Sequence, residues 1–146
     1  MQRLLHLSDE LAAEILAAAA RAYPNECCGL IEGVARESGW RVLGVHQAAN
    51  LSPEPERRFL VDPQVQFDLM RKLRGTERDV IGCFHSHPDG QPQPSATDRA
   101  EAYEPGFLYL IAAGAPEEGF TLKAHLFEEG TGFAPIEIAA EDGPLP

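Results

Sequence analysis

The sequence predicts an α/β fold, one β-sheet of mixed strand direction with helices packed on it. Three observations carry this prediction. Two segments, "SDELAAEILAAAARAYP" and "DPQVQFDLMRKLRG", have helix caps and helix-forming bodies. Short apolar runs of strand length lie between and after them. Runs at both ends of the chain follow one another as hairpins, whereas helical segments separate those in the middle. At 146 residues, 44% hydrophobic and 24% charged, the chain can bury a core in one domain, expected over residues 1–140 with a frayed tail at 141–146.

The elements follow in order. The opening "MQRLLHLSDE" holds one Arg and a short apolar patch, with no long apolar core and no small-residue cleavage site. No window approaches the length of a membrane span, so a cytoplasmic protein is expected. Helix 1 starts at Ser8 as N-cap, carries Asp9 and Glu10 in its first turn and stops at Pro24. "CCGLIEG" and "WRVLGVHQAAN" read as two strands joined by a loose turn around Gly33 to Gly39. "LSPEPER" is a loop before a short strand "RFLVD". Helix 2 has Asp62 as cap, Pro63 at its first position, basic residues in its last turn and Gly75 beyond it. "DVIGCFHSH" is a buried strand, because Val80 to Phe84 is continuously apolar and too short for a helix. A short helix from Ala96 to Tyr103 precedes three closing strands, "FLYLIAAG", "FTLKAHLFEE" and "FAPIEIA".

Charge and cysteine usage exclude whole classes of function. With 12 basic and 23 acidic residues the net charge is −11, which repels phosphate backbones, so nucleic acid is not an expected partner. Cys27, Cys28 and Cys83 are odd in number and two are adjacent, so they suggest no disulfide framework and read as small apolar residues of a reducing compartment.

The chemistry gathers in "GCFHSHPDGQPQPSATD", residues 82 to 98. Side chains two apart on a strand point the same way, so His85 and His87 present two imidazoles to one side at the strand's exit. A catalytic zinc site takes three protein ligands, and Asp98, after a loop long enough to fold back, completes a set with the two histidines. A carboxylate must also take a proton from the attacking water, and Glu26, between a helix end and a strand start, is the candidate base. Ser95 could aim a hydroxyl at the oxygen that turns negative when water attacks a carbonyl. Singly, each residue has an ordinary explanation. His-x-His is a weak signal, Ser95 to Asp98 is a helix capping box, and a lone Glu is a surface carboxylate. Cys83 is a weaker alternative ligand, too deep in its apolar run. His125 reads as structural, and His6 and His46 as surface or strand residues. The joint occurrence of the other five favours a site.

In these residues the chain resembles the JAMM metalloproteases, also called the MPN-plus or Mov34/PAD-1 group. That signature is an upstream Glu, His-x-His-Pro, a loop and Ser-x-x-Asp, here Glu26, His85, His87, Pro88, Ser95 and Asp98. "ECCGLIEG" and the Asn50 and Arg58-Phe59 landmarks agree with it, and the resemblance runs from about Ser8 to Phe127. It implies a cytidine-deaminase-like α/β fold and one zinc ion held by His85, His87 and Asp98. It further implies Glu26 as general base and then acid, and Ser95 as stabiliser of the oxyanion. The implied reaction is hydrolysis of the amide or isopeptide bond after the C-terminal Gly-Gly of a ubiquitin-like protein. Lacking long insertions, the chain is most similar to short stand-alone prokaryotic members, which implies a ubiquitin-like sulfur carrier, or its conjugate, as partner. A catalytically silent scaffold is the alternative, against which the intact ligand set argues. A nucleoside deaminase ranks lower, because the second half of its signature is absent. Oligomeric state is not fixed by the sequence. The loop Asp89 to Pro94, "DGQPQP", is expected to be preshaped by its turn-forming and rigid residues.

Overall fold

A computed structural model describes residues 2–140, so the expected fraying of 141–146 lies outside the described residues. The chain forms β1 (Leu4–His6), α1 (Asp9–Ala22), β2 (Cys28–Arg36), β3 (Gly39–Ala48), α2 (Pro63–Leu73), β4 (Asp79–His87), α3 (Ala96–Glu101), β5 (Leu108–Ala115), β6 (Gly119–Glu128) and β7 (Gly132–Ala139). The sheet is mixed, as expected, but it closes into a barrel in the order β1-β3-β2-β4-β5-β6-β7. Strands β4 and β5 run parallel, and β1 runs parallel to both β3 and β7. The other pairings are antiparallel.

The helix ends obey their sequence signals. Ser8 caps α1 by accepting from the Leu11 N–H at 3.2 Å, and Asp62 caps α2 by accepting from the Gln64 N–H at 2.9 Å. Gly75, just past α2, takes the positive φ of 82° that a glycine adopts without strain. One face of α1, through Ile15, Ala18 and Ala19, packs into a core to which every strand contributes, with Leu5, Ile31, Trp40, Phe84, Leu110 and Leu126 among its members. Helix α2 lies on the other side of the sheet, where Leu69 and Leu73 pack with Leu30, Val80, Cys83 and Tyr109. Among the described residues, no helix is long and apolar enough to cross a membrane.

Four sequence expectations need correction. The hairpin turn is tight, with Arg36 pairing directly with Gly39, and β2 runs on through Gly33 by way of a bulge between Glu32 and Gly33. "RFLVD" forms no strand. It makes one isolated bridge, Asn50 to Val61, because the Asn50 side chain takes the place of a ladder there, accepting from Leu60 N at 3.0 Å and donating to Arg58 O at 2.9 Å. Helix α3 stops at Glu101, where the Ala102 N–H closes the last turn on the Asp98 carbonyl. The opening apolar patch forms a strand, β1, whose three residues are too few to show a period.

Candidate metal centre

The site is built where β2 begins and β4 ends. Cys28 pairs with His85 in the antiparallel register. The pairing is carried one step further by Ser86 N donating to Cys27 O at 3.2 Å, and by the buried Ser86 hydroxyl accepting from Cys27 N at 2.7 Å. The next residue back, Glu26, therefore stands opposite His87. Strand alternation then puts Glu26, Cys28 and Leu30 on the same face as Cys83, His85 and His87, the face turned away from α1. Glu26 is held at both backbone ends. Its N–H donates to Pro55 O at 2.7 Å, and its carbonyl accepts from Asn50 Nδ2 at 3.1 Å.

The remaining member arrives from α3. Ser95 and Asp98 form the capping box read from the sequence, Ser95 Oγ accepting from Asp98 N at 3.0 Å and Asp98 Oδ2 accepting from Ser95 N at 2.8 Å. The same carboxylate oxygen lies 3.1 Å from His85 Nε2 and 3.0 Å from His87 Nε2, and the two Nε2 atoms are 3.0 Å apart. Capping and convergence are thus one arrangement. Glu26, His85 and His87 also form a buried group whose ligand atoms lie within 4.8 Å of one another.

The donor set suits a cation. His87 Nδ1 lies 2.7 Å from the Gln91 carbonyl oxygen, which only accepts, so Nδ1 carries the proton and the neutral ring presents a lone pair at Nε2. Asp98 Oδ2 presents lone pairs to the same point. Facing lone pairs at 3.0 Å repel unless a proton or a metal ion stands between them. The observed separations fall a few tenths of an ångström short of the roughly 3.3 Å edge that tetrahedral zinc with bonds of about 2.0 to 2.1 Å would have. Among the described residues, Glu26 Oε1 and His85 Nδ1 find no hydrogen-bond partner although both are buried, so the centre also keeps unused polar capacity.

The electrostatics follow from burial and these contacts. Burial pushes the Glu26 carboxyl up to about 8, with His87 opposing and Asp98 reinforcing. Burial alone would raise Asp98, but its close contacts with His85 and His87 outweigh it and hold the carboxyl well below the usual carboxylate range. Burial lowers His85. In His87 it is overcome by the contacts with Asp98 and Gln91, which raise that ring.

Three further residues support the centre: Phe59, a landmark of the resemblance, and Ser86 and His125, which carry no signal in their own sequence neighbourhood. Phe59 stacks on His85 with ring centroids 4.2 Å apart and planes 19° apart, which fixes the imidazole's orientation. Ser86 ties the two strands together. His125 donates to Pro92 O at 3.1 Å. Cys83, set aside as a ligand, is buried beneath His85, where burial raises its thiol. All three cysteines are free and buried. A groove of about 370 Å³ leads away from Asp98, with Leu30, Phe59, Val61, Phe107 and Tyr109 along it and Glu101 and Glu104 at its rim.

A model of the prokaryotic homologs of the JAB domain matches residues 8–124. The chain belongs to this family. It is 34% identical over 119 residues to the desampylase of Haloferax volcanii, covering 81% of this chain and 80% of that one. It is 32% identical over 102 residues to a probable TtuB-protein conjugate cleaving protease of Thermus thermophilus, covering 68% of this chain and 64% of the relative. The solution structure of a Desulfitobacterium hafniense protein superposes with a TM-score of 0.82 at 30% identity, over 96% of this chain and 94% of that one. This JAB domain is a hydrolase of the JAMM type, with a buried cluster that can hold a metal ion.

Proposed function

We propose that the protein is a zinc-dependent metallopeptidase that hydrolyses the amide or isopeptide bond after the C-terminal Gly-Gly of a ubiquitin-like protein, with a sulfur carrier as the leading substrate. The observation that carries this is the convergence of His85 Nε2, His87 Nε2 and Asp98 Oδ2 within 3.1 Å of one another beside a buried, unpartnered Glu26 oxygen. The relative named a conjugate cleaving protease supports the reaction class. The sulfur carrier, the single domain, the cytoplasmic setting and a cytidine-deaminase-like relationship of the fold rest on the sequence and its resemblance.

His85, His87 and Asp98 would hold the ion. Bound there, zinc would supply Lewis acidity, polarising the scissile carbonyl and making water a nucleophile near neutral pH. Glu26 takes the proton from the attacking water and returns it to the departing amine. Its buried carboxyl stands beside the two histidines with one oxygen free of other partners among the described residues, placed to take that proton. The Ser95 hydroxyl already accepts from Asp98 N, which leaves its own proton free to meet the negative oxygen that develops on the attacked carbonyl. The apolar groove suits an extended tail, since it excludes water from one side of a chain lying in it.

The test is to mix the protein with its host's ubiquitin-like sulfur carrier bearing a C-terminal extension, with and without a zinc chelator, and to read intact masses. Chelator-sensitive cleavage directly after Gly-Gly is expected. An uncut carrier in the presence of zinc-loaded protein would refute the substrate, and cleavage indifferent to chelation would refute the metal.

A further inference from the structure

We propose that His125 is a positioning residue for the metal centre. It holds the Asp89 to Pro94 loop so that the Gln91 carbonyl keeps the His87 proton on Nδ1 and leaves Nε2 free to bind an ion. This rests on the metallopeptidase reading above and assigns to it a residue two strands along the sheet from the signature histidines.

The loop joins the end of β4 to the start of α3, so it carries two metal-site groups at its two ends. Its own hydrogen bonds lie in its first half, Gly90 N to His87 O and Gln91 N to Asp89 Oδ1, both at 3.0 Å. The second half has a single backbone N–H, that of Gln93, because Pro92 and Pro94 have none. Among the described residues, the one hydrogen bond that reaches the Pro92 to Pro94 stretch comes from His125 Nε2, at 3.1 Å. Two imidazoles thus grip adjacent carbonyls, His87 at Gln91 and His125 at Pro92.

His125 is built for that contact. It sits on β6 opposite Tyr109, a residue of the groove, and is only 8% exposed. The edge of its ring meets Phe133 of β7 with centroids 6.5 Å apart and planes at 85°, which fixes where Nε2 points. A carbonyl only accepts, so Nε2 carries the proton. Releasing Pro92 O would let the Gln91 carbonyl drift. His87 could then place its proton on Nε2, where it would block the ligand position.

The test compares His125→Phe, which keeps the ring's shape and loses the donor, with His125→Gln, which restores an N–H near the same place. Zn2+ affinity is read by competition with a chromophoric chelator, and loop opening by hydrogen exchange at Gly90 and Gln91. Loss of a direct partner of a ligating histidine weakens metal binding about 10- to 100-fold, and His125 acts one step removed, so about tenfold is expected in His125→Phe, with His125→Gln within about threefold of the parent. Faster exchange should accompany the loss in His125→Phe alone. Unchanged affinity and exchange in His125→Phe would overturn the proposal. So would equal losses in both variants, which would assign the effect to ring packing. Nitrogen NMR of the unmodified protein checks it without any substitution, since a His125 proton found on Nδ1 would overturn it as well. A parent chain that binds no Zn2+ refutes the metallopeptidase reading instead, and is told apart because exchange and ring protonation are read without metal.

Discussion

Replacing Asn50 by alanine should destabilise the fold and slow catalysis together, because one half-buried amide ties the approach to Glu26 to the segment that carries Phe59. Its Nδ2 donates to Glu26 O at 3.1 Å and to Arg58 O at 2.9 Å, and its Oδ1 accepts from Ser52 N and Leu60 N, both at 3.0 Å. Two of these four bonds are partly buried and two are exposed. Counting about 1 kcal/mol for each partly buried bond and about half that for each exposed one gives a loss of about 3 kcal/mol. Urea unfolding should show a lower midpoint at an unchanged slope, since the surface exposed on unfolding is the same. Turnover on the Gly-Gly fusion should fall even where the variant is fully folded, because the ring over His85 and the backbone of Glu26 are both released. A loss under about 1 kcal/mol, or a folded variant with unaltered turnover, would refute this account of Asn50.

Glu26→Gln should retain zinc and lose turnover by about 10²- to 10⁴-fold, whereas Asp98→Ala should lower zinc affinity itself, both checked by metal analysis beside single-turnover assays. Glu32 gives a stability signature remote from the site. Burial would raise its carboxyl, but hydrogen bonds from Arg78 at 2.8 Å and His46 at 2.7 Å outweigh it, and the group is held below its ordinary value. Its contribution is therefore present above the unfolded-state value and is lost as pH falls through the folded one, so acid melting curves of Glu32→Gln should be flatter than the parent's in that window. Gly29→Ala would drive a Cβ into the His46 carbonyl and the Phe84 ring, and should cost about 3 kcal/mol or more on a chemical denaturation curve.

Much of the molecule was legible where signals are local. Ser8, Asp62-Pro63 and Gly75 marked the ends of α1 and α2, and the apolar run before His85 marked β4. The five candidate residues stood out because their spacing repeats a family signature, although single residues said little. What escaped was non-local. A three-residue strand such as Leu4–His6 is too short to show a period, and barrel closure is a property of register between distant strands. Arg58 to Asp62 has the composition of a strand, yet a single asparagine side chain supplies the partners a ladder would have given. Ser86 and His125 act through backbone groups far along the chain, and neither leaves a pattern in its own neighbourhood.

The short β1 acts as a stopper. It fills one end of the seam between β3 and β7, pairing with Gly39 to Arg41 on one side and Glu137 to Ala139 on the other, whose outward N–H and C=O groups would otherwise lie open. An open rim is a template on which another chain can add a strand, so three residues shorten the edge open to copies of the same chain. A chain trimmed to begin at Ser8 would keep every residue of the metal centre and still lose this seal, and its first fault would be self-association.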